Sequence, residues 1–183
     1  MGRKPRVWSP GTIYHITARG NRKNNIFRES KDNHHYLSLL LRAKLRMPFI
    51  LHSFCLMPNH IHLVIETINH SPTEIIHYIH SIYARYFNRK YNYVGHVFQG
   101  RYYSKEIKNM KQLLDTSSYV HLNPVKSRNS NMPEEYRWSN YKSYISKFDD
   151  KLTDKEKLYE TLGENPQQKY QFYVESKLKI KDW

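Results

Sequence analysis

Phe49-Ile50-Leu51-His52-Ser53-Phe54-Cys55-Leu56-Met57-Pro58-Asn59-His60-Ile61-His62-Leu63-Val64-Ile65-Glu66 is a run of strand-forming residues broken once, by a Pro-Asn pair. Residues 49–56 and 60–66 read as strands, and Met57-Pro58-Asn59 as the turn that folds them into a hairpin. In a strand, residues two apart point to the same face, roughly 7 Å apart at about 3.3 Å rise per residue. His60 and His62 therefore project side by side, while Ile61 points the other way into apolar packing. Neutral imidazole is the commonest protein ligand for divalent metals, and this pair suits one. In a chain with 11 histidines, a strand carrying solvated or hydrogen-bonded imidazoles gives the same pattern, so downstream residues must decide.

Working outward, residues 11–18 alternate β-branched and aromatic side chains and read as a strand, followed by the basic loop Arg19-Gly20-Asn21-Arg22-Lys23-Asn24-Asn25. From Ser30, a plausible N-cap, to about Arg46, Tyr36, Leu39, Leu40 and Ala43 recur at helical spacing. Ser71-Pro72-Thr73-Glu74 is a strong helix start, and that helix should run to about Arg89 with Ile75, Ile79, Ile82 and Phe87 inward. Residues 97–107 contain a further strand interrupted by Gly100, and residues 109–123 a helix through Leu113, Leu114 and Ser117 that Pro124 should end. This order predicts an α+β chain with a ferredoxin-like split fold, a central antiparallel sheet with helices on its faces. After the Trp/Tyr-rich connector at residues 136–141, residues 153–162 and 166–178 read as short helices of a C-terminal helical tail. The division expected is 1–146 for the main domain and 147–183 for the tail, which would pack on the domain, dock on a partner or add basic surface.

Thirty Lys+Arg against 16 Asp+Glu leave a formal charge of +14 across 183 residues, pointing to a polyanionic partner, nucleic acid before membrane. Sixteen tyrosines add aromatic faces and hydroxyls suited to bases and phosphates. The single cysteine, Cys55, excludes an intrachain disulfide and a zinc-finger framework, and reads as a buried, inert thiol. The basic start Met-Gly-Arg-Lys-Pro-Arg leads into no apolar signal segment, and no apolar stretch approaches the roughly 18 residues of a membrane span. A soluble, intracellular protein is expected.

The second chemical signal is Ser118-Tyr119-Val120-His121-Leu122-Asn123-Pro124-Val125. On a helix Tyr119 and Asn123 share a face, one turn apart. A tyrosine there would serve as nucleophile towards a phosphodiester, and an amide oxygen one turn on would complete the coordination of a hard ion held by imidazoles. Alone, Tyr119 would also fit a core tyrosine and Asn123 a helix cap before proline.

Together the motifs resemble the single-tyrosine transposases that carry a His-hydrophobe-His (HUH) motif, in the form typical of REP-associated tyrosine transposases. Met57-Pro58-Asn59-His60-Ile61-His62-Leu63-Val64-Ile65 looks like that motif, and the Tyr119 to Val125 segment like the nucleophile helix. Gly20-Asn21-Arg22, Tyr83-Ala84-Arg85-Tyr86-Phe87-Asn88-Arg89, Gly95-His96-Val97-Phe98-Gln99-Gly100-Arg101 and Trp138-Ser139-Asn140-Tyr141 match in the same order. The resemblance covers roughly residues 8–146 firmly and the tail loosely. It implies that His60, His62 and Asn123 bind Mg²⁺ or Mn²⁺ and that Tyr119 is the nucleophile. It further implies cutting of single-stranded DNA beside a hairpin, through a 5′-phosphotyrosine link and a free 3′-hydroxyl that later rejoins strands without ATP. A prokaryotic, cytoplasmic, nucleoid-associated protein, monomer or homodimer, is expected.

A phenol with pKa about 10 is a poor nucleophile at neutral pH unless its electrophile is activated, which a Lewis-acid metal on the phosphate does. Arg19, Arg22 and Lys23, with Arg85, Arg89 and Lys90, are reasonable phosphate contacts, and Gln99, Arg101, Tyr102 and Tyr103 would meet backbone or unpaired bases. His121, two residues past Tyr119, should face elsewhere. Three other readings remain: a domesticated hairpin binder without strand transfer, a replication-initiator or relaxase-type nickase, and a metal-dependent phosphohydrolase that would not need Tyr119.

Overall fold

The hairpin forms as read. In the computed structural model, which describes residues 7–179, β2 (Phe49–Met57) and β3 (His60–Thr67) pair antiparallel, with Met57 opposite His60 at the turn. The basic residues 1–6 and the end of the tail lie outside the described residues. β1 (Ile13–Arg19) pairs with β3 on one side and with β4 (Tyr103–Ile107) on the other, giving an antiparallel sheet in the order β2-β3-β1-β4. With α1 (Ser30–Arg46), α2 (Pro72–Tyr91) and α3 (Met110–Lys126), this is the ferredoxin-like α+β fold that the element order predicts.

Strand alternation divides the apolar residues between two cores. Ile16, Leu51, Phe54, Leu56, Ile61, Leu63 and Ile65 pack with Leu39, Leu40 and Ala43 of α1 and Ile75, Ile79 and Phe87 of α2. Ile13, Cys55, Met57, Val64 and Ile107 pack on the opposite face with Leu113, Val120 and Leu122 of α3. A bulge between Leu51 and Ser53 lets β2 keep apolar residues on both faces. Cys55 is fully buried and its thiol is pushed up by burial, as an inert thiol would be.

Three local expectations are corrected. Glu29, not Ser30, holds the cap position of α1, because buried Asp32 reaches back to accept the backbone N–H of Arg28 at 2.8 Å and of Glu29 at 3.1 Å. Residues 97–102 do not join β4. They run as a loop through Gly100 at φ +66, touching the sheet by one bridge between Phe98 and Gly20. Pro124 lies inside α3 and does not end it. It removes only its own donor, and Ser127 closes the last turn on the Asn123 carbonyl with its N–H at 3.0 Å and its hydroxyl at 2.7 Å.

The tail packs on the α3 side of the sheet. Beyond the unpredicted short helix α4 (Tyr141–Ile145), α5 (Glu156–Leu162) and α6 (Pro166–Ser176) bury Leu158, Tyr170 and Val174 in the second core. Ion pairs from Lys157 to Glu66 at 2.6 Å and from Lys177 to Asp115 at 2.7 Å fix it in place. The outer edge of β2 is covered too: Leu56 N–H donates to the Trp138 carbonyl, Phe54 N–H to Asn140 Oδ1 and Leu51 N–H to Asp154 Oδ2. No helix among the described residues is long and apolar enough to cross a membrane.

Candidate active site

The alternation that builds the second core also leaves a polar patch within it. β1 pairs with β3 so that Thr17 faces His62 and Arg19 faces His60, placing His15, His60 and His62 together on the α3 side of the sheet. α3 crosses that face and presents Tyr119, whose ring meets His62 edge-on at 5.7 Å and His15 at 6.0 Å between centroids. One turn on, Asn123 donates its Nδ2 to the Tyr119 carbonyl at 3.0 Å and sets its side chain beside both motif imidazoles. These groups line an open cavity of about 490 Å³. Tyr119 is 42% exposed, so its ring is within reach of a ligand in that cavity.

The imidazoles are held neutral. Burial, then neighbouring His15 and His60, keep His62 well below the usual 6.5, with Asn123 opposing in part. Burial and the Arg19 charge lower His60, again opposed by Asn123. Burial and Lys105 bring His15 to about 4. Neutral rings keep a lone pair for a ligand.

The tautomer of His60 is set by its neighbour Asn59. Asn59 donates Nδ2 to the Lys23 carbonyl at 3.3 Å, which turns its Oδ1 to His60 Nδ1 at 2.6 Å and leaves His60 Nε2 as the lone-pair atom. His62 Nδ1 lies 3.0 Å from His15 Nε2, while His62 Nε2 is buried without a well-formed hydrogen bond. An orphaned buried nitrogen is what a metal ligand leaves when the ion is not counted. Among the described residues no three His, Cys, Asp or Glu side chains form a metal cluster, and the side chain set beside both imidazoles is the Asn123 amide. Two imidazoles and an amide oxygen fit a divalent ion that keeps open positions.

Gly20 anchors the neighbouring loop. Its N–H donates to the Asn59 carbonyl at 2.8 Å, and a Cβ there would stand 2.1 Å from the Asn24 carbonyl oxygen and 2.9 Å from Ile26 Cγ2. Gly20→Ala should therefore displace the loop and destabilise the fold by about 1–3 kcal/mol, measured by urea denaturation. Wild-type stability in that variant would refute the steric role.

Of the predicted nucleic-acid contacts, Arg19, Gln99, Arg101 and Tyr103 line this cavity, with Gln99 N–H tied to the Arg19 carbonyl at 2.8 Å. Arg85, Arg101 and Tyr102 line a second cavity. Arg22 and Lys23 sit exposed on the 3₁₀ turn Asn21–Lys23, and Arg89 is exposed near the end of α2. Lys90 is not brought to either cavity: Asp32 at 2.5 Å and Glu29 at 2.6 Å engage its ammonium. His121 faces the second core, with Nε2 2.8 Å from Asn140 Oδ1 and Nδ1 2.8 Å from the Tyr170 hydroxyl.

Sequence reasoning missed His15 and Lys126. His15 is a polar residue on the alternating face of an apolar strand, a signal that acquires meaning only once β1 is known to lie beside β3. Lys126 stands two turns past Tyr119 with Nζ 4.7 Å from its ring centroid.

The family model described as Transposase IS200 like matches residues 9–123. Among solved structures, a REP-associated tyrosine transposase bound to a REP hairpin is similar at a TM-score of 0.67 and 16% identity, covering 84% of this chain and 89% of that one. A candidate transposase from Deinococcus radiodurans r1 aligns at a TM-score of 0.45 and 13% identity over 63% of this chain and 93% of its own. No curated protein matches the chain in sequence.

Proposed function

Because the chain belongs to the IS200-like transposase family, we propose that it cuts and rejoins single-stranded DNA beside a hairpin, with Tyr119 as nucleophile. The observation that carries this is the meeting of Tyr119 with two neutral motif imidazoles and Asn123 in a cavity rimmed by Arg19 and Arg101. The Tyr119 oxygen attacks the phosphorus and loses its proton; the P–O3′ bond breaks, and the leaving 3′-oxygen takes up a proton. A 5′-phosphotyrosine ester and a 3′-hydroxyl result, and attack by that hydroxyl on the ester reverses the exchange without ATP. His60, His62 and Asn123 would hold Mg²⁺ or Mn²⁺, which supplies Lewis-acid polarisation of the scissile phosphate when bound. Arg19 and Arg101 orient the phosphate, and the Lys126 ammonium lies over the Tyr119 ring. These charges also make binding fall steeply with salt.

The test is covalent trapping. Labelled single-stranded hairpin oligonucleotides from DNA flanking the gene are mixed with the protein and Mn²⁺, Mg²⁺ or EDTA, then run on a denaturing gel. A metal-dependent protein–DNA band supports the reading. Cleavage without a band points to a phosphohydrolase, and binding without cutting to a non-cutting hairpin binder.

His15 is a positioning residue in this reading, because it orients the His62 ring from behind. His15→Ala should weaken Mn²⁺ binding by about 10–100-fold, read by calorimetry in the absence of DNA. Unchanged Mn²⁺ affinity in a folded variant would remove that role.

A further inference from the structure

His121 takes no part in the chemistry above, yet three elements converge on it. At about 100° per residue it stands roughly 200° around the axis of α3 from both Tyr119 and Asn123. It is therefore fully buried among Tyr141, Tyr144 and Tyr170 while those two residues line the cavity. Its two nitrogens have fixed roles. Asn140 donates Nδ2 to the His52 carbonyl and to Thr153 Oγ1, each at 3.0 Å, which turns its Oδ1 to the Phe54 N–H and to His121 Nε2, each at 2.8 Å. An amide oxygen only accepts, so His121 Nε2 carries the proton and Nδ1 accepts from the Tyr170 hydroxyl at 2.8 Å. Burial, opposed in part by Asn140, brings the imidazole to about 4 and keeps it neutral, one donor and one acceptor.

Leu113, Val120 and Leu122 bury α3 without fixing its rotation, because apolar contact is non-directional. Hydrogen bonds are directional. Through Asn140, His121 ties α3 to the backbone of β2, and β2 pairs with β3 so that Cys55 faces His62 and Met57 faces His60. A side-chain tip some 5–6 Å from a helix axis moves about 1 Å when the helix turns by about 10°. At a reacting group an error of about 1 Å costs on the order of 100-fold in rate. We propose that His121 is a positioning residue for Tyr119 and Asn123. It registers α3 against the strands that carry His60 and His62, and through Tyr170 it makes the docked tail part of that register. The inference rests on the roles proposed above for Tyr119 and Asn123.

The experiment compares wild type with three variants, each well below its melting temperature. Tyr170→Phe removes one hydroxyl and keeps the ring that stacks on Tyr144 with centroids 4.6 Å apart. His121→Phe keeps a ring and removes both bonds, and His121→Gln restores a donor towards Asn140. Mn²⁺ affinity is read by calorimetry without DNA, hairpin affinity by fluorescence polarisation in EDTA, and the rate of adduct formation at saturating Mn²⁺ and DNA. His121→Phe should weaken Mn²⁺ binding about tenfold or more and slow the adduct by about 10–100-fold. Tyr170→Phe should shift both in the same direction by about threefold or more, and His121→Gln should fall between wild type and His121→Phe. Hairpin affinity should stay within about twofold, because its phosphate contacts are untouched. A lowered melting temperature with wild-type Mn²⁺ affinity and rate would overturn the proposal, since the network then holds the core and not the site. Tyr170→Phe decides the matter if His121→Phe does not fold. Should wild type bind Mn²⁺ and form no adduct, the strand-transfer reading fails while the Mn²⁺ affinities still test the register. A wild type that binds no Mn²⁺ removes the metal role and this proposal together.

Discussion

Tyr119→Phe should abolish the covalent DNA band, with strand cleavage falling by on the order of 10⁴-fold or more, since loss of a covalent nucleophile is among the largest single-residue effects in enzymes. The substitution deletes one oxygen and keeps the ring that packs edge-on against His62 and His15 and beneath Lys126. The Asn123 amide bonds the Tyr119 backbone carbonyl, not the phenol, so its position survives as well. Hairpin affinity in EDTA should stay within about twofold of wild type, because the Arg contacts that dominate binding are untouched. A band of undiminished intensity would transfer the nucleophile role elsewhere. Loss of binding together with the band would mean that the phenol holds DNA and does not attack it.

The largest effect on stability is expected at Asp32→Ala, a loss of about 3–5 kcal/mol by chemical denaturation. The fully buried carboxylate accepts from Lys90 Nζ at 2.5 Å, the Tyr91 hydroxyl at 2.7 Å, the Tyr86 hydroxyl at 2.9 Å and two backbone N–H groups that begin α1. Its removal leaves a half-buried ammonium and several donors without their acceptor. Burial alone would raise the Asp32 pKa, but Lys90, Tyr91 and the backbone donors outweigh it and hold the group below 3.8. A depressed carboxylate contributes stability that is fully present above the unfolded value, near pH 4, and is lost as pH falls through the folded value. Asp32→Asn should therefore flatten the acid limb of the stability profile below about pH 4. An unaltered limb would show that Asp32 does not govern it.

The pair of histidines and the Tyr119–Asn123 pair were legible because each is a local periodicity, two in a strand and four in a helix. The strand and helix order was legible for the same reason. His15 was not, since nothing within residues 11–18 says which strand will lie beside them; the register of Thr17 with His62 is a long-range fact. Lys90 read as a phosphate contact from composition alone, whereas its partner Asp32 lies on another helix. Pro124 was given too much weight: its missing donor deprives one carbonyl, that of Val120, of a partner, and the helix runs on to Lys126. The tail was left open because Tyr170 has no evident use until His121 is seen turned towards it.

The covering of the β2 edge also bears on how the chain is made. Residues 49–57 leave the ribosome long before Trp138, Asn140 and Asp154 exist to cover them. Until then an apolar strand with unpaired N–H and C=O groups is open to edge-to-edge pairing with a neighbouring nascent chain. The residues that complete the fold last are thus the ones that close the window for aggregation, and the yield of soluble protein depends on how promptly they arrive.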